Sequence, residues 1–474
     1  MTLLVGAEAL GDEASGDETA EALAVAARFE LAALVQPPPI SSSQDKRDRF
    51  AQMSEALANA AYPEAEIIAK QIVENVAADS ENALTARALA LHNLAVIQHH
   101  AANIESARQN YATAVNLIAR EDNNLSPGLI QPLQGLAIAH LGQGRPDEAF
   151  AALDRAQHVS NVNFGPHSFE QLPLLQAKLQ IHIDNGDRDA ALEALDRIVG
   201  LYTRKFSKRS VELLPALYQK TELYRRYDMD GPERIALRHI LDIKRANFAE
   251  TDLALVEPNI QLATNYARIM RTQELRSVVS SKAERHFKTA LWIAENSPES
   301  NWQVRKDCLL ALADYYTLFG AQTLAHRYYS TAWELLATNE DKLAVRADAM
   351  ERPVPLTRPK PDPYANFEYR RDSEKLDPAD YLTGEIVLTF TVNDRGRAEN
   401  IHVMEANPAK FSEMEKRVRK AARRFIYRPR YMGGLAVATG DQRYRTEYFY
   451  HQADYEASLT KSASNRRSRR NGNR

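Results

Sequence analysis

Cysteine is almost missing from this chain: Cys308 is the only one among 474 residues. A single thiol can form neither an intramolecular disulfide nor a thiolate-bound metal cluster, and it leaves the cellular compartment open. No run approaches the roughly 18 apolar residues needed to span a bilayer. An excess of one charge is missing too. Lys and Arg number 60 against 63 for Asp and Glu, a net charge of −3, so no global field points to nucleic acid or a membrane surface as partner. Catalytic signatures are equally scarce. There is no H-E-x-x-H, G-x-S-x-G or Walker loop, and Gly142-Gln143-Gly144-Arg145-Pro146 lacks the lysine of the last and reads as a turn. His99 and His100 are adjacent, point about 100° apart on a helix and have no third ligand, so no metal site is expected. No cofactor motif is present, the carboxylates follow no pattern, and the expectation is a protein that is not an enzyme.

What is present begins with length. A chain of 474 residues with 44% hydrophobic residues is too long for one core and should form two or more folded domains. Residues 1–44 read as a leader. Its opening, Met1-Thr2-Leu3-Leu4-Val5-Gly6-Ala7-Glu8-Ala9, ends like the back half of a secretory signal in Ala-x-Ala, with a frayed alanine-rich leader as the plainer alternative. Residues 453–474 form a basic tail (Lys461, Arg466, Arg467, Arg469, Arg470, Arg474), expected to be solvated and disordered.

Between these ends lies an internal repeat. Ala65, Ala107, Ala149 and Ala191 are spaced 42 residues apart, and after two longer steps Ala236, Ala283 and Ala325 continue the series. Four residues beyond each stands a residue that is usually larger (Ala69, Tyr111, Leu153, Leu195, Ile240, Phe287, Tyr329), and three further on a smaller apolar one. Spacings of four and three share one helical face, so each unit is expected to be a pair of antiparallel helices, the alanines allowing close approach. Turns such as Asn185-Gly186-Asp187 and Asp230-Gly231-Pro232 fall between the two helices. The expectation is six to seven repeats over residues 45–340, the first lacking a clear first helix.

The grammar of Leu309, Leu312-Ala313, Tyr316, Gly320, Ala325, Tyr329 and Ala332, and of Leu91, Leu94-Ala95, Ala107, Tyr111 and Ala114, resembles the tetratricopeptide repeat family in a longer-helix variant. The resemblance implies a solenoid scaffold whose concave face holds an extended peptide or a helix. Some members grip a C-terminal carboxylate with a basic residue and an Asn. The equivalent slots here hold His92 and Val96, Gln134 and Ile138, Leu310 and Asp314, so that clamp is absent.

Pro353, Pro355, Pro359, Pro361 and Pro363 mark residues 341–365 as a semi-rigid linker between independently folding units. In residues 366–452 the period changes to 2. Ile386, Leu388, Phe390 and Val392 alternate with polar or smaller neighbours, Asn393-Asp394-Arg395-Gly396 turns, and Ile401–Val403 resumes a strand. Ser412–Glu415 reads as a capping box opening a helix, and Tyr444, Thr446, Tyr448 and Tyr450 form a last strand. The expected fold is therefore an all-α solenoid followed by a small α+β domain of ββαβ order.

That order, with Gly384, Gly396, Phe425-Ile426-Tyr427-Arg428-Pro429 and Gly434-Leu435-Ala436-Val437, resembles the C-terminal domain of TonB, the periplasmic energy transducer of Gram-negative bacteria. The resemblance implies a non-enzymatic adaptor of the cell envelope tied to outer-membrane transport, receiving a partner segment as an added strand. It inclines the leader toward export to the periplasm; a cytoplasmic scaffold is the alternative. The candidate strand edge is Arg443, Tyr444, Arg445, Thr446 and Tyr448, its alternate tyrosines giving selectivity, and a capped edge with protective charges is the other reading. Lys416, Arg417, Arg419, Lys420, Arg423 and Arg424 make a basic helix face, either solvated surface or a contact for an anionic partner.

The repeat register generates a test. Ala149→Leu and Ala325→Leu should each overpack a helix crossing and cost about 1–3 kcal/mol, read by thermal unfolding; unchanged stability in both would refute the register.

Overall fold

The computed structural model describes residues 34–38, 43–76, 83–272, 276–361 and 381–460, without the side chains of 270–281. The chain divides into two compact units, Met1–Met229 and Asp230–Arg474. The first stacks four helical pairs: α1 (Gln44–Ala58) with α2 (Tyr62–Glu74), α3 (Ala83–His100) with α4 (Ile104–Glu121), α5 (Ile130–Leu141) with α6 (Pro146–Phe164), and α7 (Leu172–Asp184) with α8 (Arg188–Phe206). It closes with α9 (Leu214–Arg226). The second unit opens with α10 (Asp230–Asn247) and continues with α11 (Val256–Thr272), α12 (Arg276–Asn296), α13 (Trp302–Leu318), α14 (Gln322–Leu335) and α15 (Glu340–Met350).

Local chemistry sets the helix ends. α6 starts on Pro146, whose missing N–H costs nothing at the first position, with Asp147 and Glu148 facing the positive end of the helix dipole. The Asn301 side chain accepts from the Val304 N–H at 3.0 Å to cap α13. The alanines of the repeat are all buried, and so are Tyr111, Leu153, Leu195, Ile240, Phe287 and Tyr329 four residues on. Tyr111 fits because its neighbour is a glycine: a methyl group on Gly135 would lie 2.4 Å from the Tyr111 ring. The first pair does possess a first helix. α1 escaped the sequence pattern because it is short of apolar residues, burying only Met53, Ala56 and Leu57.

The end of the second unit is a sheet-containing module. β2 (Leu382–Val392) pairs antiparallel with β3 (Ala398–Asn407) on one side and β7 (Thr439–Tyr450) on the other. Ile386, Leu388, Phe390 and Val392 occupy the buried face, covered by Phe411, Met414, Val418 and Ala422 of the α16 region (Ser412–Ala422). Asn393 shapes the hairpin turn by accepting from the Arg395 and Arg397 N–H groups at 3.0 and 2.9 Å. Gly396 has φ +74° and a Cβ there would meet the Tyr427 carbonyl at 2.0 Å, so only glycine fits. β4 (Ile426–Arg428), and the hairpin of β5 (Arg430–Met432) with β6 (Leu435–Val437), complete the module.

Four boundary expectations change. Residues 341–365 are not a spacer: α15 covers Glu340–Met350, and β1 (Val354–Thr357) pairs with β4 at Val354↔Arg428 and Pro355↔Tyr427. Pro355 is tolerated because, among the described residues, β1 has a partner strand on one side only. The stretch from 362 to the expected domain start lies outside the described residues. The helix expected to begin with Ser412 as a capping box instead has Phe411 at its N-cap, without a side-chain cap bond. Of the expected disordered tail, residues 453–460 are helical, with the Tyr455 ring 5.5 Å from Phe411 and its hydroxyl donating to the Ala409 carbonyl at 3.0 Å; 461–474 lie outside the described residues. Of the leader, residues 34–38 are held against α3, as set out below; 1–33 and 39–42 lie outside the described residues.

The module is docked on α13 and α14 through polar groups. Arg428 donates to both carboxylate oxygens of Asp314 at 2.9 and 2.7 Å, and to the Ala349 carbonyl at 2.7 Å. The Tyr329 hydroxyl donates to Asp314 at 2.6 Å, and Tyr431 hydrogen-bonds His326 at 3.2 Å. Removing one partner of such a pair strands the other charge with little water, whereas replacing both with apolar groups leaves no charge behind. Asp314→Ala should therefore cost about 3 kcal/mol in urea unfolding, and Asp314→Leu combined with Arg428→Met should recover most of it. A double variant no more stable than the single one would show that packing, not the stranded charge, sets the cost.

Candidate functional site

α3 is buried nearly all round over its second half, and the run Ala90–Ile97 is apolar except for two residues, His92 and Asn93. A polar side chain in such surroundings must find partners or destabilise the fold. Both find them in residues 34–38, in which Leu34 is a 3-10 turn residue and Val35–Pro38 follow without regular secondary structure. Asn93 Nδ2 donates to the Gln36 carbonyl at 2.8 Å, and Asn93 Oδ1 accepts from the Gln36 N–H at 2.9 Å. One amide thus engages both backbone groups of one residue. His92 Nε2 lies 2.8 Å from the Leu34 carbonyl. A carbonyl can only accept, so Nε2 carries a proton, and burial keeps the ring otherwise unprotonated and neutral near pH 7.

The apolar side chains of the segment find sockets on either side. Leu34 is 7% exposed and packs with Val96, Tyr111 and Ile138. Val35 lies against clusters that include Met53, Leu57 and Leu94. Burying one leucine is worth about 1.5–3 kcal/mol, and each neutral hydrogen bond adds about 1 kcal/mol net.

Beyond the segment the groove stays open. A cavity of about 770 Å³ is bordered by Gln36 and Pro37 on one side and by Gln131, Gln134, Gln176, Gln180 and Gln219 along α5, α7 and α9. Side-chain amides offer donors and acceptors without charge, which suits an extended backbone. The second unit has a cavity of different character, about 880 Å³, lined by Arg245, Phe248, Arg285, Lys288 and Trp292; Lys288 there is paired with Glu284 at 2.7 Å.

Of the slots compared with a carboxylate clamp, His92 holds the segment's backbone, Val96 and Ile138 hold Leu34, Gln134 lines the cavity, and Asp314 is taken by Arg428. Asn93, next to a slot, was missed because its partner lies 57 residues away in the apparent leader. Its one signal in the sequence was a polar pair inside an apolar helical run.

The strand candidates fall on β7, which has β2 on one side and, among the described residues, no strand on the other. Tyr444, Tyr448 and Tyr450 turn inward into the module's core, so the tyrosines expected to select a partner are packing residues. Arg443, Arg445 and Glu447 are exposed, Thr446 is half-buried, and Arg445 is paired with Glu385. On α16, Lys416, Lys420, Arg423 and Arg424 are exposed, while Arg417 and Arg419 are half-exposed and Arg419 pairs with Glu415 at 3.0 Å. The two sets are on different elements, β7 at the sheet edge and α16 across its face. Among the described residues no group of three His, Cys, Asp or Glu side chains could hold a metal ion, and no helix is long and apolar enough to cross a membrane.

A tetratricopeptide repeat family model matches residues 86–157, the stretch containing most of α3, all of α4 and α5, and most of α6. Over that stretch the helical pairs are similar to tetratricopeptide repeats. Similar solved structures include the nearly identical tetratricopeptide-like repeats of a putative kinesin light chain from Podosopora anserina, at 16% identity and a TM-score of 0.35, covering 45% of this chain and 98% of that one. Another is BtubC (BKLC) from P. vanneervenii, at 20% identity and a TM-score of 0.38, covering 51% of this chain and 94% of that one. A search of curated proteins finds no match.

The repeat groove carries a pH dependence. Burial holds His92 down from 6.5 to about 4, against the opposing pull of the Leu34 carbonyl. Below 6.5 the unfolded chain takes up a proton that the folded chain refuses, so stability is complete above 6.5 and falls as the pH drops toward 4. By pH 5 this one residue should remove about 2 kcal/mol. Unfolding at pH 7 and pH 5 should show that loss shrinking in His92→Gln; an unchanged pH slope would mean that the ring is solvated.

Proposed function

We propose that the chain is a non-enzymatic protein-binding adaptor whose first unit holds extended segments of other proteins in its repeat groove. One observation carries the reading: Asn93 engages the N–H and the carbonyl of the same residue, Gln36, of a non-helical segment. That is recognition of backbone rather than of any particular side chain, and the amide-lined cavity continues the same chemistry along α5 and α7.

The module supplies a second surface. Its ββαβ core resembles that of TonB proteins, and β7 presents one unpaired side among the described residues, the geometry to which a partner strand adds. On this finer reading the adaptor works in the Gram-negative periplasm beside outer-membrane transport, and β7 takes a transporter segment. A second reading is favoured by the Asp314–Arg428 docking: the module serves as the terminal cap of a cytoplasmic scaffold and covers the last repeat.

Photo-crosslinking in living cells tests the groove. A crosslinking residue at Gln176, exposed on the cavity wall, should give adducts with partner proteins, and one at Glu193, exposed on α8, should not. Adducts from Glu193 with none from Gln176 would place binding on another surface and overturn the proposal.

A further inference from the structure

Residues 34–38 are not anchored as a loop is. Their backbone is bonded outward to α3, at Leu34 and Gln36 in turn; Leu34 sits in one apolar cluster, and Val35 packs against that cluster and a second one. A backbone bonded at alternate residues, with its side chains in pockets, is the arrangement of a bound peptide. The prolines that follow restrict the segment toward an extended form, so little conformational entropy is lost in holding it. The open cavity begins at the segment's own Gln36 and Pro37. Any ligand long enough to fill the cavity and also reach Asn93 would meet this segment in its path.

We infer that Leu34–Pro38 is a resident pseudo-ligand of the repeat groove, and that the groove's external ligand is an uncharged extended peptide of Leu-x-x-Pro type that displaces it. The inference rests on the groove being a peptide site. Each element of the pattern has its cause. Leucine fills the socket formed by Val96, Tyr111 and Ile138. The residue two places on needs a free N–H and carbonyl for Asn93, and so cannot itself be proline. Proline follows because its position is exposed and needs no donor. The neutral His92 and the glutamine walls provide no counter-charge, and the one carboxylate of the lining, Glu170, is exposed, so acidic side chains gain nothing there and a basic one gains only a solvent-screened contact. A tethered segment competes at an effective concentration of order mM, so an external peptide of equal intrinsic affinity is held off until it far exceeds its own Kd.

The test uses the full chain and a fluorescent peptide with the sequence of residues 32–40. Leu34→Asp in the chain puts a carboxylate into the apolar socket and should free the groove. Fluorescence polarisation should then show binding at least about tenfold tighter than to the unaltered chain. Adding Asn93→Ala to Leu34→Asp should abolish that binding, as should placing Asp at the leucine of the peptide. If Leu34→Asp lowers the unfolding temperature, Gln36→Pro, which removes the N–H that Asn93 accepts, should free the groove in its place. Equal binding by the unaltered chain, no binding by either freed chain, or binding that survives Asn93→Ala would each overturn the inference. Crosslinks from Gln176 that persist while the peptide fails to bind would remove the pseudo-ligand and leave the adaptor standing; their absence with the peptide binding would do the reverse.

Discussion

Ala107, Ala149 and Ala191 have no solvent exposure at all, and a side chain as small as a methyl group lets neighbouring helices pack closely over them. Four residues along, a tyrosine or leucine fills the wedge that this approach opens toward the next helix. Tyr111 against the bare backbone of Gly135 is the tightest case. Because each pair buries its apolar face only against its neighbours, the end pairs must find another cover.

In both units non-helical sequence of the chain is held against the helices through buried polar groups. In the first unit, Asn93 and His92 take the backbone of residues 34–38 while Leu34 closes the apolar gap over Val96 and Tyr111. In the second, Asp314, at the slot corresponding to Val96, takes Arg428 of β4, and Tyr329 adds a hydrogen bond from below. The two solutions differ in what they leave exposed. A bidentate ion pair backed by the Ala349 carbonyl and the Tyr431–His326 contact is many-sided closure of a surface. Five residues at the mouth of an open cavity are a closure that exchange can undo.

The repeat was legible because its signal is local and periodic: small residues at a fixed spacing can serve only close helix packing. The β alternation of residues 386–392 was legible for the same reason, since one face is buried without interruption. What escaped depended on distant partners. The proline-rich stretch looked like a spacer because proline forbids a helix, yet a strand paired on one side tolerates it, and β4 lies more than seventy residues downstream in sequence. Asn93 looked like a polar interruption until residues 34–38 supplied its partner. The tyrosines of β7 alternate as the sequence indicated, but alternation alone does not say which face is the core, and Tyr444, Tyr448 and Tyr450 took it.

The chain's two candidate surfaces are chemically unlike, and that difference bears on how they could work together. The groove is walled mainly by amides and apolar side chains, with Glu170 its one exposed carboxylate, so contacts there gain little from charge and respond weakly to ionic strength. α16 and the exposed row of β7 carry formal charges at the surface, where screening acts over about 8–10 Å at ordinary salt. Contacts made through them would form quickly and weaken with salt, while contacts in the groove would be governed by the slower exchange of one extended segment for another. An adaptor built this way can retain one partner by backbone recognition while sampling a second electrostatically. The two affinities can then vary separately, because no residue of the groove belongs to the sheet or to its helix.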